Sequence, residues 1–299
     1  MPSKKRKQPS AWRRELDDLL RGIAGAFLFG VPLLYTMEVW WKGNFTRPPR
    51  LLFVLGLTYV VLLAVNRTTG FRKQQHMTWL RTLTDSAESL AIGLLMAALS
   101  LILLRRVTAE VALEATMGRI VLEGIPFGLG VGIANGWLQS DDSENQETDS
   151  KDPGSKQEQT NRPKKPGWQQ TLADAGATMM GAIIVAFSIA PTDEVPMIAS
   201  ALSPPWLLAL IAASLMVSYV IVFQAKFGSQ TVRMTQEGIL QTPLGETVLS
   251  YLLSLLTAVI MLWLFQLLRP GDPLMQWVSY TIVLGFPATI GGAAGRLAI

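Results

Sequence analysis

Hydrophobic residues fall into eight long stretches without a formal charge, separated by polar segments. The stretches are residues 22–37, 51–66, 89–104, 124–140, 175–192, 198–225, 247–268 and 273–295. With a few flanking residues, each can cross about 30 Å of hydrocarbon as a helix of about 20 residues. Their glycines and prolines favour helices over barrel strands, which would show short alternating segments. The pattern predicts an all-α, polytopic membrane helix bundle with about eight transmembrane helices.

The composition agrees with a membrane location and argues against several classes of chemistry. Of 299 residues, 49% are hydrophobic and 16% are charged, and the mean hydropathy is +0.32. The chain has no cysteine and one histidine, His76, so thiolate, haem and His-based metal sites are not expected. It also has no G-x-S-x-G motif or P-loop. We expect no enzyme activity, no cofactor and no nucleic-acid partner, and the sequence leaves the identity of any bound metal unknown.

Basic residues predict the orientation of the helices in the membrane. If the N-terminus is cytoplasmic, 18 lysines and arginines fall in the cytoplasmic segments and six in the outer segments. Because Lys and Arg concentrate on the cytoplasmic side, both termini are predicted to be cytoplasmic. Residues 1–20 would form a basic, amphipathic N-terminus on that side.

The chain divides into two similar parts. Residues 139–167 contain no aliphatic or aromatic side chain and predict a disordered cytoplasmic linker. On either side of it, "GAFLFGVPLLYTMEV" (25–39) matches "GAIIVAFSIAPTDEV" (181–195) at an offset of 156, and "GIPFGLG" (124–130) matches "GFPATIG" (285–291) at an offset of 161. Residues 21–138 and 168–299 are therefore predicted to be two parallel four-helix repeats, related by an axis along the membrane normal.

Two motifs resemble those of a known family. "YTMEVWW" (35–41) and "LEGIPFG" (122–128) are similar to motifs of a bacterial family of integral membrane proteins classed as a domain of unknown function. The resemblance implies a multi-pass protein of the bacterial inner membrane, or of the thylakoid if the source is cyanobacterial. It implies no activity.

Acidic residues recur at the predicted outer ends of the first and fifth spans. The repeated Thr-x-Glu-Val places Thr36 with Glu38, and Thr192 with Glu194, next to Asp193. Two carboxylates and two hydroxyls around one axis would suit a hard cation or a proton. Alternatively, these acids reach into the lipid headgroups beside an aromatic belt. The sequence does not separate the two interpretations.

Glu123 is the most informative acid because it is predicted to lie about 7 Å inside the outer boundary of the fourth span. A charge at the centre of a span is disfavoured by about 2.5 kcal/mol or more, so an intramembrane acid suggests function. The alternative is a structural acid paired with Arg119 or with hydroxyls of the other half. Its counterpart in the second repeat is Leu284, so the predicted site is asymmetric.

Small residues and prolines mark the same spans. Gly124, Gly128, Gly132 and Gly136 recur every fourth residue and predict close helix packing, and Gly285 corresponds to the first of them. Pro126 and Pro287 each free a backbone carbonyl, which could serve a kink or an ion ligand.

Three further acids, Asp85, Glu88 and Glu246, begin the third and seventh spans as secondary candidates, although stabilisation of helix N-termini is the preferred explanation for them. The leading hypothesis is a small-cation transporter or channel, with proton coupling as an option. The alternative is a non-transporting membrane scaffold or regulator of a partner complex. The expected partners are the lipid bilayer and a small cation or proton, and a homo-oligomer is left open.

Overall fold

The computed structural model describes residues 11–70, 79–136, 167–225 and 243–297. His76 and the predicted linker, apart from Gly167, lie outside the described residues.

The described residues form helices joined by turns and loops and contain no strand, so the all-α prediction is confirmed. Ten helices follow in order: α1 (Ala11–Leu34), α2 (Met37–Gly43), α3 (Pro48–Gly70), α4 (Trp79–Leu103), α5 (Leu113–Gly136), α6 (Gly167–Ile189), α7 (Glu194–Ala201), α8 (Pro204–Tyr219), α9 (Pro243–Leu264) and α10 (Leu274–Leu297). A π-helical turn, Val220–Gln224, continues α8.

The number of candidate membrane spans agrees with the hydrophobic pattern. In the described residues, seven helices are long and apolar enough to cross a membrane, and the pair α1 and α2 makes an eighth if the two count as one broken span. Large apolar side chains cover the outside of these helices, such as Leu52, Phe53 and Leu208, each about 70% exposed. Such a surface fits contact with lipid.

The first span is broken, which the sequence analysis did not predict. The axis of α2 turns by 90° from that of α1, and Thr36 between them is extended, with φ −102° and ψ 97°. Pro32 lies in the last turn of α1 and has no N–H to continue the hydrogen-bond ladder there. We call residues 35–37 the α1–α2 break.

Glycines bring the helix pairs α1–α5 and α6–α10 into backbone contact. A methyl group added to Gly25 would overlap the carbonyl of Gly130, and one added to Gly181 would overlap the carbonyl of Gly291. In the predicted stripe, Gly124 faces Leu94 of α4, Gly128 lies against Gly93 and Gly132 faces Leu62 of α3. The stripe does contact neighbouring helices, and Gly130, outside the stripe, makes the closest approach to α1.

Gly181→Ala is expected to destabilise the protein, whereas Gly176→Ala on the same helix is not. The methyl group at position 181 must push α6 away from α10, which should lower the free energy of unfolding by about 1–3 kcal/mol. No atom lies within 4 Å of the corresponding position at Gly176, so alanine there gains helix propensity without a clash. Thermal unfolding of both variants in the same detergent measures the difference. Equal melting temperatures would contradict the close contact.

Two spans end in the same way. Arg105 after α4 and Gln266 after α9 are the two non-glycine residues with positive φ among those described, at 57° and 62°. The next N–H bonds back to Leu101 after α4, at 2.8 Å, and to Leu262 after α9, at 2.9 Å. This is the left-handed cap that commonly terminates helices. The two caps are 161 residues apart, the offset of the later sequence match.

Candidate functional site

Glu123 is fully buried in α5, and neither oxygen of its carboxyl group has a hydrogen-bond partner among the described residues. Helical spacing places it on the same face as Arg119 and Phe127, one turn away on either side. Phe127 packs against Gly30 of α1, and Arg119 binds Asn44, which follows α2. Glu123 therefore faces the region where α1 gives way to α2.

Arg119 does not pair with Glu123, although the sequence offered it as a partner. Its Nε donates to Asn44 Oδ1 at 2.7 Å, and its Nη1 donates to the backbone carbonyl of Arg106. No hydroxyl group of the described residues donates to Glu123 either. The guanidinium is drawn away because the loop between α4 and α5 presents a carbonyl beside the end of α2. The carboxyl group is left without any of the expected partners.

Glu194 is the second buried acid, with 8% of its surface exposed. It begins α7, and its Oε1 accepts a hydrogen bond of 3.3 Å from the backbone N–H of Met37 at the α1–α2 break. Its Oε2 is buried and has no hydrogen-bond partner in the part of the chain that the structure describes. The carboxylate thus ties the start of α7 to the break in the first span and keeps one free oxygen.

The other residues of the predicted outer cluster are placed differently. Glu38 and Asp193 are exposed. The hydroxyl of Thr192 donates to the carbonyl of Ile189 at 2.7 Å, and Thr36 makes no capping bond with its side chain. The bend turns α2 so that Trp40 faces the core and Glu38 faces outward. Of the two acids in the repeated motif, the structure buries Glu194 alone.

Tyr35 belongs to the site although the sequence analysis did not single it out. It is buried in the α1–α2 break, and its hydroxyl donates to the carbonyl of Val283 in α10 at 2.7 Å. This is the carbonyl that Pro287, four residues later, cannot bind. The carbonyl freed by Pro287 was considered an ion ligand in the sequence analysis, and the structure shows that it already accepts a hydrogen bond from Tyr35. Pro126 likewise has no N–H for the carbonyl of Leu122, and no side chain of the described residues binds that carbonyl.

Tyr35→Phe is expected to destabilise the protein by about 1–3 kcal/mol, because the carbonyl of Val283 would lose its donor in a buried position. Tyr59→Phe is a matched control. The hydroxyl of Tyr59 also binds a carbonyl, that of Leu83 at 3.0 Å. That carbonyl can keep its helical partner, the N–H of Ala87, so a smaller effect is expected. Thermal unfolding in detergent compares the two variants, and equal losses would contradict a special role of the Val283 carbonyl.

The secondary acids do not join Glu123. Glu246 Oε2 accepts a hydrogen bond of 2.5 Å from Arg296 Nη2, and Arg296 Nη1 donates to Ser250 Oγ at 2.9 Å. Arg296 is 1% exposed, and this pair joins the beginning of α9 to the end of α10. Asp85 is half-buried and Glu88 is exposed. Within the described residues, no group of three or more His, Cys, Asp or Glu could hold a metal ion.

A bundle of seven or eight apolar helices with carboxyl groups buried between them defines a multi-pass integral membrane protein. Residues 18–299 match the model of a family described as "Putative integral membrane protein (DUF2391)", and the chain belongs to this family. The resemblance carried by "YTMEVWW" and "LEGIPFG" is thereby confirmed, while the bacterial source remains a prediction. No curated protein and no solved structure matches the chain.

Proposed function

We propose that this protein exchanges protons for a small cation across the membrane and that Glu123 carries either one. The observation behind the proposal is a fully buried carboxyl group, in a candidate membrane span, without a hydrogen-bond partner among the described residues. An isolated carboxylate is strongly disfavoured in such surroundings unless it is protonated or paired with a cation. A structural acid would be expected to have a fixed donor, and this one has none.

The chemistry of the site favours a monovalent cation. Glu123 supplies one negative charge, so replacement of its proton by one monovalent cation keeps the site neutral. The carbonyl of Leu122, which Pro126 cannot bind, adds an oxygen in the same turn of α5. Carbonyl and carboxylate oxygens are ligands for hard cations.

The α1–α2 break is the proposed moving part. Its backbone is not helical at Tyr35 and Thr36, and it lies on the side of α5 that Glu123 faces. Glu194 holds the N–H of Met37 at one end of the break, and Tyr35 holds the carbonyl of Val283 at the other. In this mechanism, release of these two hydrogen bonds opens Glu123 to one side of the membrane.

We further infer that the bundle arose by duplication. In support, the order of helices in α1–α5 recurs in α6–α10, with one short helix second in each set. The left-handed caps at Arg105 and Gln266 add a backbone feature at the offset of the sequence match. A duplicated scaffold explains why the acid at position 123 has an apolar counterpart, Leu284, because each copy could specialise.

Proteoliposomes that contain the purified chain and an internal pH-sensitive dye test the proposal. Addition of lithium, sodium or potassium outside, in separate samples, is expected to change the internal pH for at least one of the three cations. Vesicles without protein are the control. If none of the cations moves protons, exchange is refuted and the non-transporting scaffold becomes the better explanation.

A further inference from the structure

A cavity of about 420 Å³ lies between the loop that follows α4 and the beginning of α8. Its size falls within the range of pockets for small ligands, about 300–1,000 Å³. Six residues line it: Ile102, Arg105, Val107, Thr108, Ala109 and Trp206. One part of the wall is therefore cationic and polar, and the other part is apolar.

Arg105 supplies the cationic wall. The carbon at the centre of its guanidinium group lies 5.4 Å from the centroid of the Trp206 ring. No side chain or carbonyl of the described residues hydrogen-bonds to this guanidinium group, so its N–H donors remain open. Stacking on an aromatic ring orients the guanidinium plane, and its edge can then bind a phosphate through two parallel hydrogen bonds. Thr108, which carries a hydroxyl group, also lines the cavity.

The surroundings of the cavity are positively charged. Arg106 is half-buried beside it, and Arg119 donates to the carbonyl of Arg106. Burial, and then the charge of Arg119, lower the pKa of Arg106. Among the described residues, no carboxylate forms an ion pair with Arg105, Arg106 or Arg119, and the nearby Glu110 and Glu114 are exposed. An anion in the cavity would compensate this charge.

The apolar wall connects the cavity to the hydrocarbon. Ile102 lies in the last turn of α4, which is a candidate membrane span, and 42% of its surface is exposed. Val107 continues the apolar surface. A ligand that fits both walls carries a phosphate at one end and an acyl chain at the other.

We propose that this cavity binds the headgroup of an anionic phospholipid. The phosphate lies against Arg105 and Thr108, and an acyl chain runs along Ile102. A zwitterionic lipid fits less well, because its ammonium group would approach three arginines that form no ion pair with a carboxylate of the described residues. A free phosphate ion would leave the apolar wall unused.

The other half of the chain lacks this chemistry. Gln266 has the same left-handed backbone conformation as Arg105 at the corresponding cap, and its side chain is neutral. Glutamine is therefore compatible with this conformation, so Arg105→Gln removes the charge without adding backbone strain. Arg50→Gln is a matched control, because Arg50 is an exposed arginine at the start of α3 and does not line the cavity.

Native mass spectrometry of the full chain in detergent tests the proposal with phosphatidylglycerol and phosphatidylcholine of identical acyl chains. We expect wild type to bind phosphatidylglycerol about tenfold more tightly, a difference of about 1.4 kcal/mol, because both lipids offer a phosphate but only phosphatidylcholine brings an ammonium group into the positively charged region. Arg105→Gln should remove this preference, and Arg50→Gln should retain it.

Two results would overturn the assignment: equal binding of both lipids by wild type, or equal behaviour of the two arginine variants. Competition by millimolar inorganic phosphate distinguishes the sources of the anion, because displacement of the lipid would show a site for the free ion. If Arg105→Gln does not fold, Thr108→Val keeps the charge and removes one hydroxyl group. It should weaken binding of phosphatidylglycerol several-fold, and unchanged binding would count against the proposal.

Discussion

Glu123→Gln is expected to abolish proton movement driven by cations in proteoliposomes, to the level of vesicles without protein. Glutamine has nearly the same shape as a protonated glutamate but can neither release a proton nor carry a negative charge. The carboxyl group makes no hydrogen bond within the described residues, so the fold should tolerate the change, with a melting temperature close to that of wild type. Loss of flux with retained stability is the signature of a group that works through its proton.

The control for this prediction is Glu38→Gln. Glu38 is exposed, whereas its counterpart in the repeated motif, Glu194, is buried. Neutralisation of the exposed acid should leave the maximal flux unchanged. Wild-type flux in Glu123→Gln would remove Glu123 from the mechanism. A strong loss of flux in Glu38→Gln would instead indicate that the essential carboxylate is the exposed one on α2.

Glu246→Gln is expected to have the largest effect on stability, about 3–5 kcal/mol. Arg296 is 1% exposed, and the substitution leaves its charge buried without the acidic partner 2.5 Å away. Two spans would lose their attachment at the end where α9 begins and α10 ends. Denaturant unfolding in mixed micelles measures the loss.

Two variants separate the buried charge from loss of packing. The double variant Glu246→Leu with Arg296→Met removes both charges together and should recover most of the stability, since apolar replacement of a buried pair is often neutral or stabilising. Asp18→Asn removes the carboxylate beside Arg21. A loss below about 1 kcal/mol is expected, because Asp18 is 57% exposed and Arg21 keeps its hydrogen bond to the carbonyl of Ala225. If Glu246→Gln is as mild as Asp18→Asn, the Glu246–Arg296 pair is not a major contributor.

The sequence was sufficient for the helical fold and for the number of spans. Stretches without charge predict membrane helices because the free-energy cost of placing a charge in hydrocarbon is set mainly by residue type, which the sequence shows directly. The cytoplasmic position of the termini rests on the count of Lys and Arg and stays a prediction. The break after Leu34 was not predicted, although Pro32 and the polar residues that follow are signals for it, because proline is often accommodated inside membrane helices.

The candidate site could be predicted only in part. Glu123 was identifiable because its depth follows from distance along one helix. The sequence could not show that Glu123 lacks a partner. The direction of the Arg119 side chain depends on Asn44 and on the carbonyl of Arg106, which only the folded loops bring near. The same holds for Tyr35, since proline at 287 predicts a free carbonyl but not which distant hydroxyl will bind it.

Because α1 and α2 meet at a right angle, the position of α2 relative to α1 should depend on the thickness of the bilayer. If α1 crosses the membrane, α2 runs along its surface, where Trp41 is 53% exposed and Phe45 is 78% exposed. Aromatic side chains settle at the boundary between lipid and water. Lipids with shorter or longer acyl chains would move that boundary and pull α2 with it. The resulting force acts on the α1–α2 break, which Glu123 faces. The acyl-chain length of the surrounding lipids should therefore change the access of protons and cations to that carboxyl group.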